Sequence, residues 1–537
     1  MNLKRCLAVA AVAAVPAALF AQTTATKPDV DAVFARFSRT TPGCAVAVAT
    51  NGSPALAKGY GTADLEHDVP ITPDTIFEAG SVSKQFTAAA VLLLARDRKL
   101  SIDDPVRKYI PELPDYGQPL LIRHMLNHTS GLRDWGSVAA IAGWPRTTRV
   151  HTHAHVLEIV SHQRALNFAP GTNWSYSNTG FNLAAVIVSR VSGMPFTEFT
   201  RQRIFTPLGM THTSWRDDYT RIVKNRAVAY TEDRASKGEF KIDMPFEDVY
   251  GNGGLLTTVG DLLKWNENFT RPLVGDKAFV ALQQQPGKFN DGRTHGYAFG
   301  LFVGKREGLR EVYHSGSTAG YSAFLTRFPD QKVSVAVLCN VATNATVLAH
   351  DVADQYLGIT AHALKATYAM TNTEMNALAG MYKNGLGQAP TFAPSTTGLL
   401  VENGPPLFAI APKTFALVTG ARLVFDGKGK ATITDEFGTV DHLEKVTRAT
   451  PSAADLKAFE GVFASDEAEV EMRAVVEKGW LTLKRRPDTT FVLTPLYADT
   501  FATAGLGTVL FHRDTSQHPV RFSVSQDRVW NLEFTRR

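Results

Sequence analysis

The chain has 537 residues and a formal net charge of +5 at pH 7, with 44% hydrophobic and 20% charged residues. That length exceeds one ordinary domain and predicts about three, and the composition is that of a globular protein with large cores. The charge is thinly spread, and no Lys/Arg block is long enough to serve as a nucleic-acid footprint.

In chain order, the N-terminal segment MNLKRCLAVAAVAAVPAALFAQ starts basic at Lys4 and Arg5, runs apolar, and ends in small residues before a polar stretch. It reads as a secretory signal peptide over residues 1–21, too short and wrongly flanked for a spanning helix. No later apolar run reaches about 18 residues. The expectation is an exported protein, periplasmic or secreted, without stable membrane insertion once the signal is removed. Cys6 would leave with the signal. Cys44 and Cys339 remain, in the β-like runs GCAVAVAT and VSVAVLCN. They could pair in an oxidising compartment if those strands are neighbours, but small buried thiols are the favoured expectation. Two cysteines alone cannot build a zinc or iron–sulfur site.

The segment GCAVAVATNGSPALAKGYGTAD predicts a hairpin turning at Asn51-Gly52. A helix is predicted to follow in FEAGSVSKQFTAAAVLLLARDRKL, where Phe86, Ala90, Leu93 and Leu94 recur at helical spacing. Ser81 stands at its start and Lys84 three residues on, so both side chains share one face. A serine hydroxyl is a weak nucleophile until a base takes its proton, and a buried lysine can be that base because desolvation disfavours its ammonium form. By itself S-x-x-K is a common pattern, equally served by a capping serine and a solvated lysine.

Further along, PGTNWSYSNTGFNLAAVIV places Tyr176 and Asn178 just ahead of a predicted helix. A tyrosine beside a lysine ammonium is expected to have its pKa lowered and to act as a base. An asparagine amide offers a donor and an acceptor to a substrate amide. The histidine-rich VHTHAHVLEIVSHQ (His151, His153, His155, His162) does not match the metallo-β-lactamase ligand spacing, and helical periodicity in Val156, Ile159 and Val160 favours a helix start. His314-Ser315-Gly316 in EVYHSGSTAGYS marks a glycine-bearing strand edge that a substrate backbone can approach. Strands then run to VSVAVLCN, and ATVLAHDVADQYLG closes the region as a helix. Strands at both ends with helices between predict one α+β domain over residues 22–365.

Beyond residue 365 strand-like alternation takes over. LAGMYKN (from Leu378) echoes FEGVFAS (from Phe459), Thr414-Phe415 echoes Thr500-Phe501, LVF ending at Phe425 echoes VLF ending at Phe511, and Leu443-Glu444 echoes Leu532-Glu533. Four anchors in order predict two related all-β modules, small barrels over residues 373–447 and 453–537; one larger β domain with a chance echo is the alternative.

On these motifs the chain from about 30 to 360 resembles the serine β-lactamase and penicillin-binding-protein superfamily, in the branch of β-lactamase-related hydrolases that includes esterases, D-aminopeptidases, carboxypeptidases and class C β-lactamases. S-x-x-K, Y-x-N and H-x-G come in that family's order, accompanied by IRHMLNHTSGL, FTPLGMTHT and GNGGLLTTVGDLLKW. The resemblance implies an antiparallel sheet flanked by helices, with Ser81 as the acylated nucleophile and Lys84 and Tyr176 sharing proton transfer. It implies Asn178 as a ligand of the substrate amide or of Lys84, and the N–H groups of Ser81 and Ser317 as the oxyanion hole, with Gly316 beside them. It implies a small-molecule or peptide substrate and no metal or cofactor, and places His128 in a scaffold loop that holds backbone groups. His314 is the departure, because β-lactamases and penicillin-binding enzymes usually carry a lysine there that helps hold a substrate carboxylate. A largely neutral histidine is expected to go with an ester, or with an amide bearing a free N-terminal D-residue. β-Lactamase or D-alanyl-D-alanine carboxypeptidase activity, a non-hydrolytic penicillin or peptidoglycan sensor, and lipid or glycan binding by the β modules remain alternatives. The C-terminal modules resemble those of the family's D-aminopeptidases, or lipocalin-like domains, whose barrel loops can reach over the active site. Oligomeric state is not legible in the sequence.

Overall fold

The computed structural model describes residues 28–145, 148–360, 364–402, 404–436 and 438–537. The expected signal peptide and Cys6 lie outside the described residues. The first unit is built on a six-stranded antiparallel sheet. Its strands are β1 (Cys44–Thr50), β2 (Ser53–Tyr60), β3 (Phe302–Arg306), β4 (Leu309–Thr318), β5 (Tyr321–Phe328) and β6 (Val333–Cys339), in the order β3-β4-β5-β6-β1-β2. The two ends of the region meet where β1 pairs with β6. Asn51 and Gly52 turn the first hairpin with φ of 52° and 77°, the left-handed pair that a two-residue hairpin turn requires.

Successive residues of β1 face opposite sides of the sheet. Ala45 and Ala47 join the core that holds most of the helices between the two ends of the sheet. Val46 and Val48 join a second core with Val335, Val337 and the closing helix Ala345–Leu357. Small residues on the alanine face let the helix Val259–Asn268 lie close, and its Trp265 packs in turn on Phe86 of the helix α1 (Lys84–Arg96). Every residue of α1 from Lys84 to Leu94 is buried, as expected for a helix that is apolar nearly all round. The sequence placed Ser81 on this helix, but the structure puts it in a 3₁₀ turn, Gly80–Ser83, that runs straight into α1.

Cys44 and Cys339 form a disulfide, which corrects the expectation of two thiols. They are the first residue of β1 and the last of β6 and stand directly opposite each other in the ladder. Register brings them together although 295 positions separate them.

Both C-terminal modules are all-β. Eight strands from Gly380–Lys383 to Val440–Val446 close into a barrel. Nine strands from Gly461–Ser465 to Val529–Arg536 form a nearly closed sheet. The repeated anchors take equivalent places. Phe415 and Phe425 meet edge to face at 5.7 Å, and Phe501 and Phe511 do so at 5.8 Å. A short helix with a capping box precedes each module, Asn372–Leu378 and Ala453–Lys457. The first barrel has a core of its own. The core of the second, with Phe463, Phe511 and Phe522, is continuous with that of the sheet-and-helix domain.

Candidate active site

Ser81, Tyr176, Asn178, His314, Gly316 and Ser317 line one cleft of about 930 Å³, within the size range of small-molecule sites. Backbone geometry makes the approach possible. Gly80 has φ of 50°, and a Cβ there would stand 2.6 Å from the Ser317 nitrogen. A Cβ on Gly316 would stand 2.0 Å from the Ala79 carbonyl oxygen. Only glycine at both positions lets β4 lie against the Ser81 turn, bringing Ser81 and Ser317 into the lining of the same cleft.

Lys84 is fully buried behind Ser81. Its Nζ lies 3.0 Å from Ser81 Oγ, 2.8 Å from Asn178 Oδ1 and 2.7 Å from the Asn252 carbonyl oxygen. Burial holds the Lys84 amine well below its ordinary range, the charge of Arg528 adds to the effect, and Asp134 opposes it. The two carbonyl oxygens can only accept hydrogen bonds, whereas the serine hydroxyl can donate. A neutral amine therefore gives its two N–H bonds to Asn178 and Asn252 and keeps its lone pair for the Ser81 hydroxyl.

Tyr176 lines the cleft with Ser81, and its ring centroid is 4.8 Å from Lys84 Nζ. Burial raises its phenol well above the usual value, only partly offset by Ser81 and Arg528. The expectation of a tyrosine made acidic by its lysine neighbour is thus reversed: desolvation dominates. Tyr176 is a protonated phenol, a donor at rest.

His314 sits in β4 beneath the cleft with both ring nitrogens engaged. Nδ1 lies 2.6 Å from the Ser315 carbonyl oxygen and Nε2 3.0 Å from the Tyr297 hydroxyl. The carbonyl requires a donor at Nδ1, so Nε2 accepts from Tyr297. Burial and the Lys84 charge push the His314 pKa down to about 3, against the pull of the Ser315 carbonyl. The imidazole is neutral throughout the working range and offers no charge to a substrate.

Sequence reading missed four participants. Asn252 lies in the GNGG stretch noted only as scaffold. Asp134 caps the helix Trp135–Ala142, and its other carboxylate oxygen accepts the Asn178 N–H at 2.8 Å. Tyr297 fixes the His314 tautomer. Arg528 comes from the second β module and lines the cleft. His128 holds backbone as expected, accepting from the Ser177 N–H at 3.2 Å, with its ring 4.2 Å from that of Tyr176. The histidine-rich stretch forms the helix His153–His162. Among the described residues no group of three or more His, Cys, Asp or Glu could hold a metal ion, and no helix is long and apolar enough to cross a membrane.

The sequence profile of the family described as Beta-lactamase matches residues 20–357. Penicillin-binding protein 4* of Bacillus subtilis (strain 168) is 29% identical over 309 residues, covering 55% of this chain and 67% of that protein. The D-aminopeptidase of Gluconobacter oxydans (strain 621H) is 29% identical over 336 residues, covering 62% of this chain and 61% of that protein. The matched segment thus spans roughly two-thirds or less of these relatives' own length. Among solved structures, the octameric penicillin-binding protein homologue from Pyrococcus abyssi superposes with a TM-score of 0.55 at 25% identity, covering 76% of this chain and 96% of that one. With a family match over more than half its length and the serine–lysine–tyrosine cluster assembled in one cleft, the chain belongs to the beta-lactamase family.

Proposed function

We propose that this protein is an exported serine hydrolase that works through an acyl-enzyme on esters or on amides and peptides containing D-amino acids. The observation that carries the reading is the buried Lys84, whose two carbonyl partners leave its lone pair to the Ser81 hydroxyl. In acylation the Ser81 proton passes to Lys84 as Oγ bonds to the acyl carbon. The negative charge on the former carbonyl oxygen falls to the N–H groups of Ser81 and Ser317. Removing one such donor typically costs roughly 100-fold or more in rate. As the tetrahedral intermediate collapses, the bond to the leaving group breaks and the leaving group takes a proton from Lys84, relayed by Tyr176. Water then attacks the acyl-enzyme, gives its proton to the same pair, and Ser81 is regenerated with release of the acid.

Export is supported by the signal-like N-terminus and by the Cys44–Cys339 disulfide, a bond typical of oxidising compartments. Ester substrates, or amides with a free N-terminal D-residue, are supported by the neutral His314, which lacks the charge usual in β-lactamases, and the D-residue amides also by the D-aminopeptidase relative. β-Lactamase or D-alanyl-D-alanine carboxypeptidase activity is the second reading, favoured by the likeness to penicillin-binding protein 4*.

The test is turnover of a short-chain p-nitrophenyl ester by the mature protein beside Ser81→Ala. Hydrolysis that disappears in the variant supports the acyl-enzyme. Equal rates in both proteins would overturn it, and no turnover in either would move the stalled penicillin or peptidoglycan binder ahead.

A further inference from the structure

The second β module enters the cleft through one two-residue turn. Strands β7 (Pro519–Gln526) and β8 (Val529–Arg536) are joined by Asp527-Arg528. The turn is fastened by its backbone. The Arg528 carbonyl accepts from the Asp134 N–H at 3.1 Å and from Asn167 Nδ2 at 3.1 Å. The Trp530 N–H donates to Asn167 Oδ1 at 2.8 Å. Beside it, Arg133 forms a buried ion pair with Glu467 at 2.5 Å and donates to the Trp530 and Asn531 carbonyls. All of this holds the main chain and leaves the Arg528 side chain unspent. Its guanidinium carbon stands 4.8 Å from the Tyr176 ring centroid, and it forms no ion pair with any described carboxylate.

The charges around it are few. No other lysine or arginine is present among the described residues lining the cleft. His314 is neutral and tied to Tyr297 and Ser315. Of the carboxylates in that lining, Glu247 faces Arg216 at 3.6 Å, and neither it nor Asp243 pairs with Arg528. The cleft therefore presents a guanidinium, delivered on a turn whose main chain is stapled, beside Tyr176 and in the same lining as Ser81. A guanidinium has the planar donor fork that matches a carboxylate, and such charge-assisted pairs are the strong ones.

We infer that Arg528 is a specificity-determining residue that binds a carboxylate of the substrate close to the scissile bond, so that the second β module completes the substrate site. The inference deepens the acyl-enzyme reading and rests on it for the place of the scissile bond. It moves the site's anion-binding charge from the sheet position, where His314 stands, to the barrel turn. The substrate class becomes D-aminoacyl compounds whose leaving group ends in a carboxylate.

The experiment compares two D-alanyl thioesters that differ only in charge, one with a mercaptoacetate leaving group and one with mercaptoacetamide. Full-length wild type, Arg528→Gln and Arg528→Lys are assayed at one pH. Any influence of Arg528 on Lys84 acts on both substrates alike and cancels in the ratio of their kcat/KM values. Wild type is expected to favour the acid roughly 10- to 100-fold, chiefly through KM, the range of a charge-assisted hydrogen bond. Arg528→Gln is expected to bring the ratio within about twofold of one, and Arg528→Lys to keep part of the preference. A wild-type ratio near one, or a ratio unchanged in Arg528→Gln, overturns the inference while leaving the acyl-enzyme reading intact. Calorimetric binding of mercaptoacetate thioester to Ser81→Ala and to Ser81→Ala/Arg528→Gln gives a readout that needs no turnover. Weaker binding in the double variant supports the inference even if the wild type hydrolyses neither thioester, and equal or absent binding in both overturns it.

Discussion

The Asp134 carboxylate serves two helices at once: one oxygen accepts the Ser137 N–H at 3.1 Å and the other the Asn178 N–H at 2.8 Å. Asn178 opens the helix Asn178–Ser192 and holds Lys84 with its side chain. The orientation of the lysine thus depends on a carboxylate that touches neither Lys84 nor Ser81. Asp134→Ala removes an N-cap and the anchor of Asn178. It is expected to lower stability by about 1–3 kcal/mol and kcat about tenfold. Urea melts and steady-state kinetics on a p-nitrophenyl ester check both. An unchanged kcat would show that Asn178 needs no such support.

The depressed pKa of Lys84 sets the pH profile. The neutral amine is the active form, so activity is expected to rise as pH climbs through the Lys84 pKa and to level off well below 10.5, its ordinary value. Tyr176, raised by burial, stays protonated over the same window. Arg528→Gln removes a neighbouring cation and is expected to move the acid limb to higher pH. Lys84→Arg cannot supply a neutral base and is expected to cut kcat by roughly 100- to 10,000-fold. A profile still rising at pH 10 in the wild type would contradict a desolvated lysine base.

Tyr297→Phe removes the hydroxyl that donates to His314 Nε2. A buried acceptor left without its donor costs about 1–3 kcal/mol, measurable as a lower urea midpoint. Because the His314 pKa lies at about 3, the wild-type rate profile is expected to show no inflection from this residue near pH 6.5. His314→Lys, which restores the charge usual in β-lactamases, is expected to improve β-lactam hydrolysis relative to esters. A wild type that already turns over β-lactams far better than simple esters would defeat the argument drawn from His314.

Glu78 lies three residues before Ser81 and is fully buried against Arg216, with contacts of 2.8 Å and 3.0 Å. Arg226 approaches it at 3.7 Å. Glu78→Gln leaves two guanidinium groups without their shared carboxylate and is expected to cost about 3–5 kcal/mol. The double change Glu78→Gln/Arg216→Met is expected to recover part of the loss. A single variant as stable as the wild type would mean that water or Glu247 can replace Glu78.

Local chemistry determined much of this protein from sequence alone. Asn51-Gly52 dictates its hairpin because few other pairs accept two left-handed residues in succession. The alternation in Val46 and Val48 marks a strand covered on its valine face, and the apolar run after Lys84 marks a central helix. Ser81 and Lys84 share a face by spacing alone, and the ordered echoes after residue 365 mark two β modules. What needed the tertiary structure depends on which distant segments become neighbours. Cys44 meets Cys339 only because β1 pairs with β6 in that register. The Tyr176 proton is held by desolvation, a property of everything packed around the ring and not of the Y-x-N motif. Arg528 carries no local signal at all. A two-residue turn tolerates many side chains, and this one reaches the cleft only because the second β module shares its core with the sheet-and-helix domain, an arrangement produced by packing rather than by any short pattern in the chain.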